Sequence, residues 1–383
     1  MNADSSERIK QALRAVVDPE LGGDIVELGM VHGVEVADGV ATIHLALTIA
    51  ECPMRTQIET DVVRKVQALP GIHQARVQVV GMTQQQRSQV MAKARWKARQ
   101  QAPSTMVSPL TRVIAVGSGK GGVGKSSVSV NLAVALADGG LKVGLLDADI
   151  WGFSIPRMLG AEDRLRANQD GKILPLRVQG LELVSTGLLM DSEEIALMWR
   201  GLMLSKALEQ FLRDVAWGDL DYLVLDMPPG TGDIQMALAR LLPQAEMVVV
   251  TTPQRAAQKV ATRVADMARR SYMPVIAVIE NMAGFTCEHG DVYHLFGEGG
   301  GQDLADSLGV PLIARVPLDP RVVQGGDEGR PVVSAHPDSP AGQAFRVAAG
   351  RITELVPPAE DETCTARIAK LEDALSREGA TAS

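Results

Sequence analysis

Between residues 110 and 356, short apolar runs alternate with longer mixed stretches. Six of the runs are RVIAVGS, KVGLLDAD, LELVST, YLVLDMP, MVVVTTP and PVIAVIENM. They are apolar at nearly every position rather than at every second one. Strands of that kind are covered on both faces, as central strands of a parallel sheet are. With helices between them, the pattern predicts an α/β fold with a doubly wound, mostly parallel sheet. Residues 1–83 follow another rhythm. SERIKQALRAV has helical spacing, and GMVHGVEVADGVATIHLAL gives two strands joined by a turn at Asp38-Gly39. MRTQIETDVVRKVQAL is helical up to Pro70-Gly71, and ARVQVVGM is a final strand. That order predicts a small α+β domain.

Residues 84–109 are rich in Gln, Ala, Pro and Ser, and Arg87, Lys93, Arg95, Lys97 and Arg99 meet no acidic residue there. This stretch reads as a linker, partly helical, and a solvated tether rather than a nucleic-acid patch. Residues 357–383 predict a proline hinge and a short amphipathic helix carrying Ile368, Leu371 and Leu375. The length of 383 residues exceeds what one core usually spans, in agreement with two domains. A formal charge of −8 argues against general nucleic-acid binding. No apolar stretch is long enough to span a bilayer, and MNADSSERIK lacks the order of a signal peptide. Three cysteines do not make a disulfide framework in so long a chain. The expectation is a cytoplasmic protein whose cysteines are thiols.

The chemistry concentrates in VIAVGSGKGGVGKSSVSVNLAVAL. Gly119 to Ser126 matches G-x-x-x-x-G-K-[ST], with a strand before it and a helix after it. Gly119, Gly121, Gly122 and Gly124 let the backbone wrap phosphates, with Val123 between them and Ser127 following in the helix. Lys125 is expected to reach the β- and γ-phosphates of ATP, and Ser126 to ligate Mg²⁺. Asp147 and Asp149 in LLDADIWG, and Asp226 in YLVLDMPPGTGD, end two other strands. Ligands of open parallel sheets sit beyond those ends, so the three acids are expected to converge on the phosphates. Asp226 would hold Mg²⁺ through water, and Asp149 would position the attacking water with Asp147 in support. Any one acid alone could equally be a turn or cap residue.

The loop has a second lysine, Lys120. Spelled K-G-G-V-G-K-S, it resembles the deviant Walker A signature of MinD and ParA-type ATPases and the nitrogenase iron protein. The resemblance implies that Lys120 crosses a dimer interface to the partner's phosphates. A cation supplied in trans stabilises transition-state charge only when two subunits close. MWRG, WGDLDYLVLDMPPGTGD, VVVTTPQ, IENMAGF and FGEGGG extend the resemblance, from about Thr111 to Val356, to the Mrp (ApbC) family of iron–sulfur cluster carriers. VVDPELGGDIVELGMV followed by LTIAECPMRTQI resembles the iron–sulfur cluster assembly domain fused ahead of such ATPases. The family implies a homodimer that hydrolyses ATP slowly, holds a 4Fe–4S cluster between its subunits, and passes it to apo-proteins, working with assembly scaffolds. The charge, the lack of a spanning stretch and the acidic tail set the expectation of no nucleic acid and no membrane as partners. The family also implies that Asn281 contacts the adenine ring.

One position departs from the family. Many members carry C-x-x-C after ENM; here Cys287 aligns with the first cysteine and Gly290 stands at the second, with His289 between them and His294 following. Two Cys287 with two His289, two cysteines with external thiols, and a 2Fe–2S cluster or Zn²⁺ on the same ligands all remain open. Cys52, before Pro53, is expected at a helix N-terminus, where the dipole favours thiolate. It resembles the cysteine of the assembly-domain motif, and the alternative is a small buried hydrophobe. Cys364 lies outside the resemblance. Three other functions compete with a carrier: a MinD- or ParA-like ATP-dependent switch, ATP-driven insertion of another metal on Cys287 and His289, and phosphotransfer to a small molecule. The acidic tail, with Glu360, Asp361, Glu362, Glu372 and Asp373, argues against an anionic membrane as the switch's target.

Overall fold

The computed structural model describes residues 2–18, 23–47, 55–83, 85–86, 89–94, 102–149, 154–189, 201–229, 232–254, 259, 261–263, 265–266, 268, 271 and 273–359. Cys52, and the tail with Cys364 and its predicted helix, lie outside the described residues. The chain divides into two compact units, Met1–Ala102 and Pro103–Ser383.

The first unit has a helix at Asn2–Leu13, strands β1 (Val31–Ala37) and β2 (Val40–Leu47), a helix at Arg55–Gln67, and β3 (Gln74–Gly81). β1 and β2 form a hairpin, and β3 lies parallel to β2. The turn at Asp38-Gly39 has φ of 49° and 77°, the left-handed pair that matches strand twist in a two-residue hairpin. Ile9 and Leu13 from the first helix, Ile43 and Leu45 from β2, and Ile58, Val62 and Val66 from the second helix are all buried. Within the stretch expected to be a linker, residues 89–94 are helical. Val90 and Ala94, one turn apart, are buried, and Lys93 Nζ donates to the Glu27 carbonyl at 3.3 Å.

The second unit is built on an eight-stranded sheet. Its strands are β4 (Arg112–Ser118), β5 (Val143–Asp147), β8 (Leu176–Val178), β9 (Leu181–Ser185), β10 (Tyr222–Asp226), β11 (Glu246–Thr251), β12 (Val275–Asn281) and β15 (Leu312–Val316). Two short hairpins lie outside it: β6 (Arg166–Ala167) with β7 (Ile173–Leu174), and β13 (Phe285–Thr286) with β14 (Val292–Tyr293). The sheet order is β15-β12-β11-β4-β10-β5-β9-β8. All pairs are parallel except β8 with β9. The doubly wound sheet expected from the apolar runs is therefore present.

Two apolar layers cover the sheet. Val113, Ala115, Leu223 and Leu225 belong to one, and Ile114, Val116, Tyr222 and Val224 to the other. Neighbouring residues thus face opposite layers, which is why the strands read as continuous apolar runs. The helix Lys125–Asp138 is buried from Val128 through Leu136. It is apolar on all sides because strand and helix surround it. At the amino edge of the sheet, Tyr222 Oη donates to the Val356 carbonyl and Arg112 Nε to the Pro357 carbonyl at 2.8 Å. The carboxyl edge is left to the loop after β4.

Candidate functional site

The loop after β4 runs from Gly119 to Gly124 and ends as the helix Lys125–Asp138 begins. Val123 is buried and anchors it. Gly122 and Gly124 have φ of 77° and 76°, a left-handed conformation that a Cβ disfavours. A side chain at Gly121 or Gly122 would meet nothing within 4 Å, so the loop's outer face is open. Gly124 is the N-cap of the helix and supplies no side-chain cap. The first amide N–H groups of the helix are available to an anion.

Lys125 Nζ lies 2.7 Å from Asp226 Oδ1, with the two side chains 6% and 0% exposed. Ser126 Oγ donates to Asp226 Oδ2 at 2.6 Å, and Ser129 Oγ to Asp226 Oδ1 at 2.7 Å. Strand register brings the acids together, because Asp226 sits opposite Asp147 and Asp147 opposite Ser185. Asp147 accepts from Ser185 Oγ at 3.0 Å and from the Asp149 amide at 3.1 Å. Burial, and then the nearby charge of Asp226, push the Asp147 carboxyl up to about 8. Below that pH Asp147 is a neutral acid. Asp149 is half-buried, with its backbone fixed by Asp147.

Lys120 is half-buried on the same loop, and its Nζ donates to Gln254 Oε1 at 3.1 Å, just beyond the end of β11. Asn281 closes β12, and its Nδ2 donates to the Val123 carbonyl at 2.9 Å. The structure therefore brings Lys125, Ser126, Asp147, Asp149, Asp226, Asn281 and Lys120 to one edge of one sheet. Ser127, on the first turn of the helix, gives its carbonyl to Asn131 Nδ2 at 2.8 Å. Oxygen donors dominate around Asp226, namely its own carboxylate, the Ser126 hydroxyl and the Asp147 carboxyl. That is a hard oxygen set, which suits Mg²⁺. The uncapped helix start and the open glycine face beside it suit the phosphates that would accompany the ion.

Three residues at this edge carry no signature of their own. Ser129 is one helical turn after Lys125, so spacing alone could have indicated it. Ser185 reaches Asp147 only through the pairing of β5 with β9, and Gln254 reaches Lys120 across 134 residues of sequence.

Cys287 lies elsewhere, at the tip of the β13–β14 hairpin. Its N–H donates to the Asp291 carbonyl at 2.9 Å, and the Gly290 N–H donates to the Cys287 carbonyl at 3.0 Å. Gly290 has φ of 90°, which closes the turn and disfavours any side chain where the second cysteine would stand. Cys287 is half-buried and His289 exposed. His294 Nε2 instead approaches Glu298 Oε1 at 2.6 Å. Among the described residues, no group of three or more His, Cys, Asp or Glu could hold a metal ion. No described helix is long and apolar enough to cross a membrane.

Comparison with known proteins agrees with this fold. A family model described as the NUBPL iron-transfer P-loop NTPase matches residues 109–353, and one described as iron–sulfur cluster assembly protein matches residues 6–79. A protein of Mycobacterium leprae named iron–sulfur cluster carrier protein is 44% identical over 357 residues, covering 91% of this chain and 93% of its own. One of the same name from Synechocystis is 41% identical over 354 residues, covering 91% and 97%. Among solved structures, a nucleotide-binding protein of Archaeoglobus fulgidus in complex with ADP is 35% identical, with a TM-score of 0.52. It covers 61% of this chain and 91% of its own. The septum site-determining protein MinD of Pyrococcus horikoshii, complexed with Mg-ADP, is 25% identical with a TM-score of 0.50, covering 66% and 100%.

Proposed function

This chain belongs to the iron-transfer P-loop NTPase family, with an iron–sulfur cluster assembly domain ahead of the ATPase, and from that premise we propose that it is a homodimeric carrier. It binds ATP, hydrolyses it slowly, and delivers an iron–sulfur cluster to apo-proteins. The observation that carries the cargo assignment is the full-length likeness to proteins named iron–sulfur cluster carrier, at 44% identity over 91% of the chain. The nucleotide half is supported by geometry.

In that half, Lys125 and the helix amides bind the phosphates, and Ser126 and Asp226 hold Mg²⁺, which neutralises phosphate charge when bound. Asp147 orients Asp149 through its backbone amide, and Asp149 orients the attacking water. Lys120 reaches the phosphates of a second copy. Because hydrolysis then waits on a closed dimer, ATP acts as a switch on the cargo.

The cluster is held between two subunits, with one Cys287 from each. A single chain offers too few ligands among its described residues, and a pair of chains doubles them. Two Cys287 still leave a 4Fe–4S cluster two ligands short. His289, one residue from Gly290 on the exposed turn, is the group proposed to complete the set, alone or with external thiols.

A second reading, insertion of a different metal, is favoured by one observation: glycine with positive φ replaces the second cysteine. One experiment separates the two. The full chain is reconstituted anaerobically with iron and sulfide, and metal and sulfide are quantified for wild type, Cys287→Ala, His289→Ala and Cys52→Ala. One cluster per dimer, lost in Cys287→Ala, supports the carrier. Intact ATP hydrolysis with no iron or sulfide retained in any variant refutes it.

A further inference from the structure

Asn281 is expected, from family resemblance, to meet the adenine ring. Its observed hydrogen bond is to the glycine-rich loop instead. Nδ2 donates to the Val123 carbonyl at 2.9 Å, and the side chain is 7% exposed. Val123 is the buried residue of the loop, and Gly124, next in sequence, is the left-handed N-cap of the helix. A Cβ at Gly124 would stand 2.3 Å from Asn281 Nδ2 and 3.7 Å from Met282 Cε. The end of β12 therefore packs against the loop and leaves no room for a side chain at Gly124. Met282 has φ of 58°, a left-handed conformation uncommon for a residue with a long side chain. The Ala283 amide fixes that turn by donating to the Val316 carbonyl on β15 at 2.9 Å.

We propose that Asn281 is a positioning residue for the phosphate loop, acting independently of the base. Its carboxamide holds the Val123 carbonyl, which keeps Gly124 in its left-handed conformation and aims the Gly124 and Lys125 amides outward before any nucleotide arrives. Only one proton of Nδ2 is committed to this bond. The ligand class it prepares the loop for is a polyphosphate, with or without a nucleoside.

This inference rests on the loop being the phosphate site, and the test keeps the two apart. Binding of Mg²⁺–ATP and of Mg²⁺–tripolyphosphate, which has no base, is measured by calorimetry on the full chain. Wild type, Asn281→Ala and the nearly isosteric Asn281→Asp are compared, with unfolding temperature recorded alongside. Loss of one hydrogen bond to the loop predicts that both ligands weaken together, by about five- to tenfold, in Asn281→Ala. Asn281→Asp is expected to lose at least as much, because it turns an acceptor toward the Val123 carbonyl. It carries the test if the alanine variant does not fold. Weakened ATP with unchanged tripolyphosphate would overturn the proposal and leave Asn281 a base contact only. Wild type that bound ATP but not tripolyphosphate would overturn it too, since a loop held ready needs no base. Wild type that bound neither would sink the phosphate site itself. Failure of both variants to fold would show that Asn281 holds the whole domain rather than the loop.

Discussion

The Asp147→Asn substitution should make the nucleotide-free protein more stable, and by an amount that depends on pH. In the fold, burial and the neighbouring charge of Asp226 raise the Asp147 carboxyl from 3.8 to about 8. An unfolded chain releases that proton near the ordinary value. Between the two, the folded state carries the extra proton, so stability falls as pH rises, at about 1.4 kcal/mol per pH unit. The contribution is complete below 3.8 and is gone above about 8. At pH 7 roughly three units have been crossed, which amounts to roughly 4 kcal/mol. Asparagine is neutral at every pH and avoids this loss. It also keeps both local bonds: Oδ1 can accept from the Asp149 amide, and Nδ2 can donate to Ser185 Oγ once the hydroxyl rotates to accept.

Urea unfolding of the full chain, without nucleotide, from pH 5 to pH 9 measures the difference. Fluorescence of Trp217, buried in the ATPase core, is one signal. The variant's advantage should widen up to pH 8 and then level off, while ATP hydrolysis falls. A difference that stays constant across this range would mean that Asp147 is ionised in the fold throughout, and the argument would fail.

Other substitutions follow from the same site. Lys120→Ala should leave ATP affinity within about threefold and cut the hydrolysis rate at least about 100-fold, since a trans cation acts on the transition state; calorimetry and phosphate release measure the two. Ser129→Ala leaves the buried Asp226 carboxylate one donor short, at a cost of about 1–2 kcal/mol in urea unfolding. Gly124→Ala puts a Cβ into a left-handed residue pressed by Asn281, so ATP affinity should drop at least about tenfold in calorimetry.

The strands that could be read in the sequence are those covered on both faces. β15 is less legible because LIARV is interrupted by Arg315, which reaches out to Glu280 at 3.5 Å. β8, LRV, is a three-residue antiparallel edge strand with no run to recognise. The hairpin carrying Cys287 rests on strands of two residues each, too short for any periodicity. At the site, the phosphate loop and its helix were legible because the spacing is local. The approach of Asp147 to Asp226 is legible only as acids at two strand ends, and Ser185 carries no signal at all. Their contact comes from register between strands far apart in sequence, which no local pattern encodes. Gln254 illustrates the same limit, since VVVTTPQ marks the family without revealing that its glutamine holds Lys120.

Why the loop needs two lysines follows from what each one touches. Lys125 is buried against Asp226, and the carboxylate is also held by two serine hydroxyls. A buried pair of this kind is costly to break unless each charge gains a new partner, about 3–5 kcal/mol when one side is simply removed. Lys125 gains one by exchanging the carboxylate for phosphate, and Asp226 by exchanging the ammonium for a cation. The exchange conserves charge, so Lys125 is well suited to admit nucleotide. It is poorly suited to respond to the moment of hydrolysis, because its charge is engaged before and after. Lys120 differs in each respect. It is half-buried, and its partner Gln254 is neutral, so leaving it breaks a hydrogen bond rather than an ion pair. A bond of that kind contributes about 1 kcal/mol net. Lys120 can therefore leave Gln254 at small cost, as its proposed role on a second subunit's phosphates requires.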